Sequence, residues 1–152
     1  MRKLSIAAAV AAILMPFSSL AQGLKEVEGS FLEPLQQRDS ILVADQLRYG
    51  FTIDDVAEGT ELRLQDYSKA FGDTLIVVRN WKLDTLKTLR SGRKGPARYN
   101  LRGDVVISPF EAGTYQLPRI AVQRISPGGA VDTLLFNLQE MEVTTIQVDT
   151  PT

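Results

Sequence analysis

Ser108-Pro109-Phe110-Glu111-Ala112-Gly113-Thr114-Tyr115-Gln116-Leu117-Pro118 is a polar turn that closes on Gly-x-Tyr and runs into the apolar stretch Ile120-Ala121-Val122. A corner of this kind, with a tyrosine shortly after the turn, is how immunoglobulin-like β-sandwiches enter one of their last core strands. Gly113 supplies a backbone conformation that other residues resist. Tyr115 is expected to tie its hydroxyl to a nearby main-chain group, and Pro118 is expected at a strand start or an edge. These three residues form a structural corner on this reading.

The segments on either side agree. Leu47, Tyr49, Phe51 and Ile53 alternate with Gln46, Arg48, Gly50 and Thr52, the period-2 pattern of a half-buried strand. Asp54-Asp55 is read as its end. Tyr99, Leu101, Gly103, Val105 and Ile107 repeat the pattern. Shorter strands are expected over Ile41–Ala44, Leu62–Leu64, Thr74–Val78, Asn80–Leu89, Val131–Phe136 and Met141–Val148, and Ser126-Pro127-Gly128-Gly129 is a hairpin turn. Gln65–Gly72 has room for one helical turn, with Tyr67 and Phe71 four apart. The sum is an all-β, immunoglobulin-like antiparallel sandwich of about eight strands.

The N-terminus is a different kind of segment. Met1-Arg2-Lys3 is positively charged, Leu4–Leu14 is almost unbroken apolar, Pro16 interrupts it, and Ser19-Leu20-Ala21 offers small residues for cleavage. That is the layout of a secretory signal, and the stretch is too short to span a bilayer as a helix. The expected organisation is a cleaved signal over 1–21, an extended leader over 22–39 and a β-sandwich over 40–152. With no Cys after the apolar stretch, a lipoprotein anchor is not expected. No later stretch has the length and apolarity of a transmembrane helix.

Composition bounds the chemistry. The chain has neither Cys nor His, so a Ser-His-Asp or Cys-His nucleophile is excluded, and ordinary zinc, haem and iron–sulfur ligation is not expected. No catalytic, cofactor or metal residue is assigned. Loss of Arg2 and Lys3 with the signal leaves 15 basic residues against 18 acidic ones, a net charge of −3. That balance argues against nucleic-acid binding through a basic face.

The surface candidate is the cluster Lys87, Arg90, Arg93, Lys94 and Arg98. It reads either as an interaction loop for an anionic partner or a lipid surface or as a charged hairpin tip that discourages edge aggregation. Trp81, the sole tryptophan, alternates with Leu83 and is placed in the core rather than on a sugar-stacking face. Arg102-Gly103-Asp104 spells an integrin tripeptide but lies inside an alternating strand. Asp54-Asp55 and Glu140/Glu142 supply paired carboxylates, with nothing in the sequence to set them across a cleft.

From Asp39 onward the chain resembles the N-terminal region of the BatD family, the oxygen-tolerance or aerotolerance proteins. The resemblance rests on Asp39–Tyr49, on Asp73–Val78 with Trp81–Thr85, and on Pro109–Val122. It implies a non-catalytic protein-interaction role in the periplasm or cell envelope of a Gram-negative, Bacteroides-type bacterium. The implied partner is an envelope protein, with a von Willebrand A-type domain in the family's case. Family members usually continue into further domains and a C-terminal membrane helix, which are not found here before Thr152. The alternative is a carbohydrate-binding β-sandwich module, which requires Trp81 or several tyrosines exposed on one sheet.

Overall fold

The computed structural model describes residues 11–15, 23–67, 72–90 and 95–145. Among these residues the chain is all β, with no helix and with antiparallel pairs in the majority. The twelve strands are β1 (Ala11–Met15), β2 (Leu24–Val27), β3 (Ser30–Pro34), β4 (Ile41–Leu42), β5 (Leu47–Ala57), β6 (Glu61–Gln65), β7 (Leu75–Arg90), β8 (Ala97–Pro109), β9 (Gly113–Gln116), β10 (Ala121–Ile125), β11 (Val131–Phe136) and β12 (Glu140–Thr144).

They form three sheets. A four-stranded sheet has the order β3-β5-β8-β7, a five-stranded sheet the order β1-β6-β10-β11-β2, and a small third sheet the order β4-β12-β9. The parallel pairs are β1 with β6, β2 with β11 and β4 with β12.

The alternation seen in the sequence becomes the core. Leu47, Tyr49 and Phe51 of β5 are fully buried, as are Leu62 of β6, Val105 and Ile107 of β8, and Val122 of β10. Phe51 stacks on Phe136 of the five-stranded sheet with ring centroids 5.2 Å apart, so the two larger sheets share one core. Trp81 of β7 is half-buried; its ring lies 5.5 Å from Phe51 and 5.6 Å from Tyr67, and its Nε1 donates to the carbonyl of Gln65 at 2.7 Å. Buried Tyr49 donates its hydroxyl to the Pro118 carbonyl at 2.6 Å. Burial pushes the phenols of Tyr49 and Tyr67 well above their ordinary values; the Arg119 charge opposes this at Tyr49, and Tyr49 adds to it at Tyr67.

Several expectations need correcting. Within the expected extended leader, residues 24–27 and 30–34 are strands of the fold, because β2 and β3 pair with β11 and β5. Their edge positions leave most side chains exposed or half-buried, so no hydrophobic alternation marked them. Asp54-Asp55 does not end β5. The strand passes a register shift between Ile53 and Val56, with Asp55 at φ 61°, and continues to Ala57. An irregularity of this kind inserts a residue without stopping the ladder. The two strands expected over 74–89 are one sixteen-residue strand, β7. With β1, β2, β3 and β9 added, twelve strands replace the expected eight or nine. Ala11–Met15, within the apolar signal-like stretch, lies in strand conformation against β6. Phe71 and the end of β12's expected range, residues 146–148, lie outside the described residues.

Candidate functional site

Two connections meet the start of β8 at one end of the molecule: the β5–β6 turn (57–60) and the β10–β11 hairpin. The Glu58 N–H donates to the Ala97 carbonyl at 3.1 Å, and the Ala97 N–H donates back to Glu58 Oε1 at 3.2 Å. A Cβ on Gly59 would stand 3.3 Å from Pro127 Cγ in the hairpin. The hairpin is closed by Ser126 N–H to Ala130 at 2.8 Å and Gly129 N–H to Ser126 at 2.9 Å, with Gly129 at φ 94°. That is a conformation glycine accepts at little cost.

Between these connections and β2 lies an open groove of about 390 Å³. Its charged lining is Lys25, Asp55, Arg98, Arg124 and Asp132. Arg124 grips Asp132 with two bonds, Nε to Oδ1 at 3.0 Å and Nη2 to Oδ2 at 2.6 Å, while Lys25 Nζ stands 3.6 Å from the same carboxylate. The Arg124 hydrogen bond, seconded by its charge and that of Lys25, holds the Asp132 carboxyl below the usual carboxylate range; the same pairing raises Arg124. Arg98 pairs with the Asp55 carboxylate through Nε and reaches the Asp55 carbonyl at 3.0 Å. The lining therefore carries three cations and two carboxylates. Each carboxylate is paired with at least one of the cations.

The interaction-loop residues of the sequence divide here. Arg98 lines the groove but its charge is engaged by Asp55. Arg90 is exposed at the end of β7 and donates to Gly95 at 3.2 Å. Both border a second shallow depression with Leu89 and Pro96. Arg93 and Lys94 lie outside the described residues. Lys25, Asp55, Arg124 and Asp132 were missed, because the partners come from four separate strands and no local pattern joins them.

The corner residues sit elsewhere. Gly113 has φ 144° with open space around its Cβ direction. Tyr115 is half-buried, and its hydroxyl donates to the Glu111 carbonyl at 2.7 Å. Pro118 lies in the break between β9 and β10, where its carbonyl receives Tyr49.

Arg102 and Asp104 belong to a charged ladder across the outer face of β3, β5, β8 and β7. Arg102 Nη2 bonds Glu33 at 2.8 Å and its Nε bonds Asp104 at 3.2 Å, while Arg79 pairs with the other Asp104 oxygen. The Glu33 bond is the main cause of a raised Arg102 pKa. Both ends of the tripeptide are thus held by neighbouring strands. Gly103 between them points into the core, where a Cβ would meet Phe51 Cζ at 2.8 Å.

Asp54-Asp55 and Glu140/Glu142 lie on β5 and β12, in different sheets. Among the described residues no group of three or more His, Cys, Asp or Glu could hold a metal ion, and no helix is long and apolar enough to cross a membrane. Tyr49, Tyr67 and Tyr99 are buried. No family model, curated protein or solved structure matches the chain.

Proposed function

We propose that this chain is an exported, non-catalytic protein-interaction module of a bacterial envelope, built on an immunoglobulin-like sandwich and comparable to BatD-type aerotolerance components. Support for the sandwich comes from strand order. β3-β5-β8-β7 corresponds to A-B-E-D, and β6-β10-β11 to C-F-G, with β2 running parallel to the last strand. The single observation that carries the interaction role is the convergence of the β5–β6 turn, the β10–β11 hairpin and the start of β8 around a charged groove at one end. Loops held on a rigid scaffold are where binding residues concentrate. The exposed Arg90 borders the neighbouring depression that shares Arg98 with the groove, which favours a protein partner with an acidic contact surface.

The test is affinity capture. Tagged protein lacking residues 1–21 is offered to solubilised envelope of a Bacteroides-type bacterium, and retained proteins are identified by mass spectrometry. Selective retention of an envelope protein with a von Willebrand A-type domain is expected, with loss of retention after Lys25→Glu, Arg90→Glu and Arg98→Glu together. Background retention by a folded chain, or retention indifferent to the three reversals, would count against the reading.

A further inference from the structure

We infer that removal of residues 1–21 opens the outer edge of β6, and that this edge receives an extended strand from a partner protein, running parallel to β6 with aliphatic residues at alternate positions. The inference rests on the interaction-module reading and on cleavage of the signal, and names a surface distinct from the groove.

The backbone shows which groups become available. Ser126 N–H donates to Ala130, and Phe136 N–H donates to Ile120. Even-numbered residues of β10 therefore turn toward β11, and Gln123 and Ile125 turn toward β6. Their register partners on β6 are Arg63 and Glu61. In an antiparallel ladder such pairs exchange hydrogen bonds, and the residues between them point the other way. Leu62 and Leu64 thus direct their N–H and C=O groups to the opposite edge.

That edge is where β1 lies, in the register Ala12↔Leu62, Ile13↔Arg63 and Leu14↔Leu64. The Ala-Ala-Ile-Leu-Met segment is a strand of stated composition and direction already seated on it. An occupant of the same kind would satisfy the same main-chain groups by strand addition. Leu62 and Leu64 face the core, whereas Glu61 and Arg63 pair with each other on the outer face at 3.0 Å. Residues aligned with the two leucines would therefore need to be aliphatic, and those between them tolerant of charge. β6 ends at Gln65, which limits the recognised segment to about one short strand.

The other edges of the two larger sheets are guarded in ways proteins commonly use. β7 carries Lys82, Asp84 and Lys87 and three register irregularities. β3 ends in Glu33-Pro34, and β2 carries Lys25-Glu26.

Amide hydrogen exchange tests the inference, comparing the full-length chain, the chain lacking residues 1–21, and the latter with the peptide Lys-Lys-Ala-Ala-Ile-Leu-Met-Lys-Lys. Leu62 and Leu64 amides should be protected in the full-length chain and exchange faster in the shortened one. Peptide at about ten times its Kd should slow them again by about elevenfold, the factor 1 + [L]/Kd. A peptide N-methylated at alternate residues should have no effect. Equal exchange of these amides in both chains would overturn the inference, as would equal protection by the N-methylated peptide. Protection that grows with the shortened chain's own concentration would overturn it in favour of a second copy. An envelope protein retained by the shortened chain and undisplaced by excess peptide would overturn the β6 edge while leaving the interaction module standing.

Discussion

Replacing Gly50 with alanine should be more damaging than the same change at Gly103 or Gly128. Gly50 of β5 faces Asp104 of β8. Thr52 N–H donates to Gly29, so even-numbered residues of β5 turn toward β3. Gly50 and Asp104 are then a non-hydrogen-bonded pair, the closer of the two antiparallel spacings. A Cβ on Gly50 would overlap the Gly103 carbonyl oxygen and stand 2.7 Å from Asp104 Cβ and 2.8 Å from its Cα. The obstacles include main-chain atoms, so no rotamer relieves them and the strands must part. Parting strains the flanking pairs Tyr49↔Val105 and Phe51↔Gly103. Three or four ladder bonds at about 1 kcal/mol each, less about 0.4–1 kcal/mol from a stiffer unfolded chain, leave a net loss of about 3 kcal/mol.

Gly103→Ala meets only side chains, Phe51 and the tip of half-buried Leu83 at 2.9 Å. It should cost about 1 kcal/mol after the same offset. Gly128→Ala enters open space and should change stability by less than about 0.5 kcal/mol. Urea unfolding followed by Trp81 emission measures all three, since the chain has one tryptophan. If Gly50→Ala fell within 0.5 kcal/mol of Gly128→Ala, the β5–β8 register would be wrong.

Ala44 adopts φ 73°, a region that costs an L-residue roughly 1–2 kcal/mol. Ala44→Gly should therefore leave the protein as stable as the parent or better by up to about 1 kcal/mol; a loss of that size in urea unfolding would refute the strain. Asp132 has a lowered carboxyl pKa in the fold, so its contribution is present above the unfolded value near 4 and fades as pH falls through the folded value. Asp132→Asn should be less stable than the parent at pH 7, and the gap should shrink in acid; a gap independent of pH from 7 to about 2 would contradict the pairing with Arg124. The phenols of Tyr49 and Tyr67 are raised, so the stability they carry is complete below about pH 10 and declines as pH rises beyond it. Absorbance at 295 nm should show these two ionising together with loss of structure, and free titration near pH 10 in a folded chain would contradict their burial.

The strongly alternating strands were legible because one face of each is buried. Leu47–Ile53 and Tyr99–Ile107 carry large apolar side chains at every second position, and Ser126–Gly129 has the chemistry of a tight hairpin. The edge strands β2 and β3 were not legible, because they gain main-chain bonds without burying a full face. β5 ran past Asp54-Asp55 because Asp55 tolerates the left-handed conformation and Arg98 pairs with its side chain. The groove was legible only at Arg98. Its other charged residues meet through strand pairing, which brings Lys25 beside Asp132 from 107 positions away.

A photo-crosslinking residue placed by amber suppression tests the interaction surface most directly. At position 128, on the hairpin beside the groove, it should yield a discrete higher-mass adduct in the native envelope. At position 82, exposed on the outer face of β7, it should yield none. No adduct from position 128, or equal adducts from both, would contradict the assignment of this end as the contact surface.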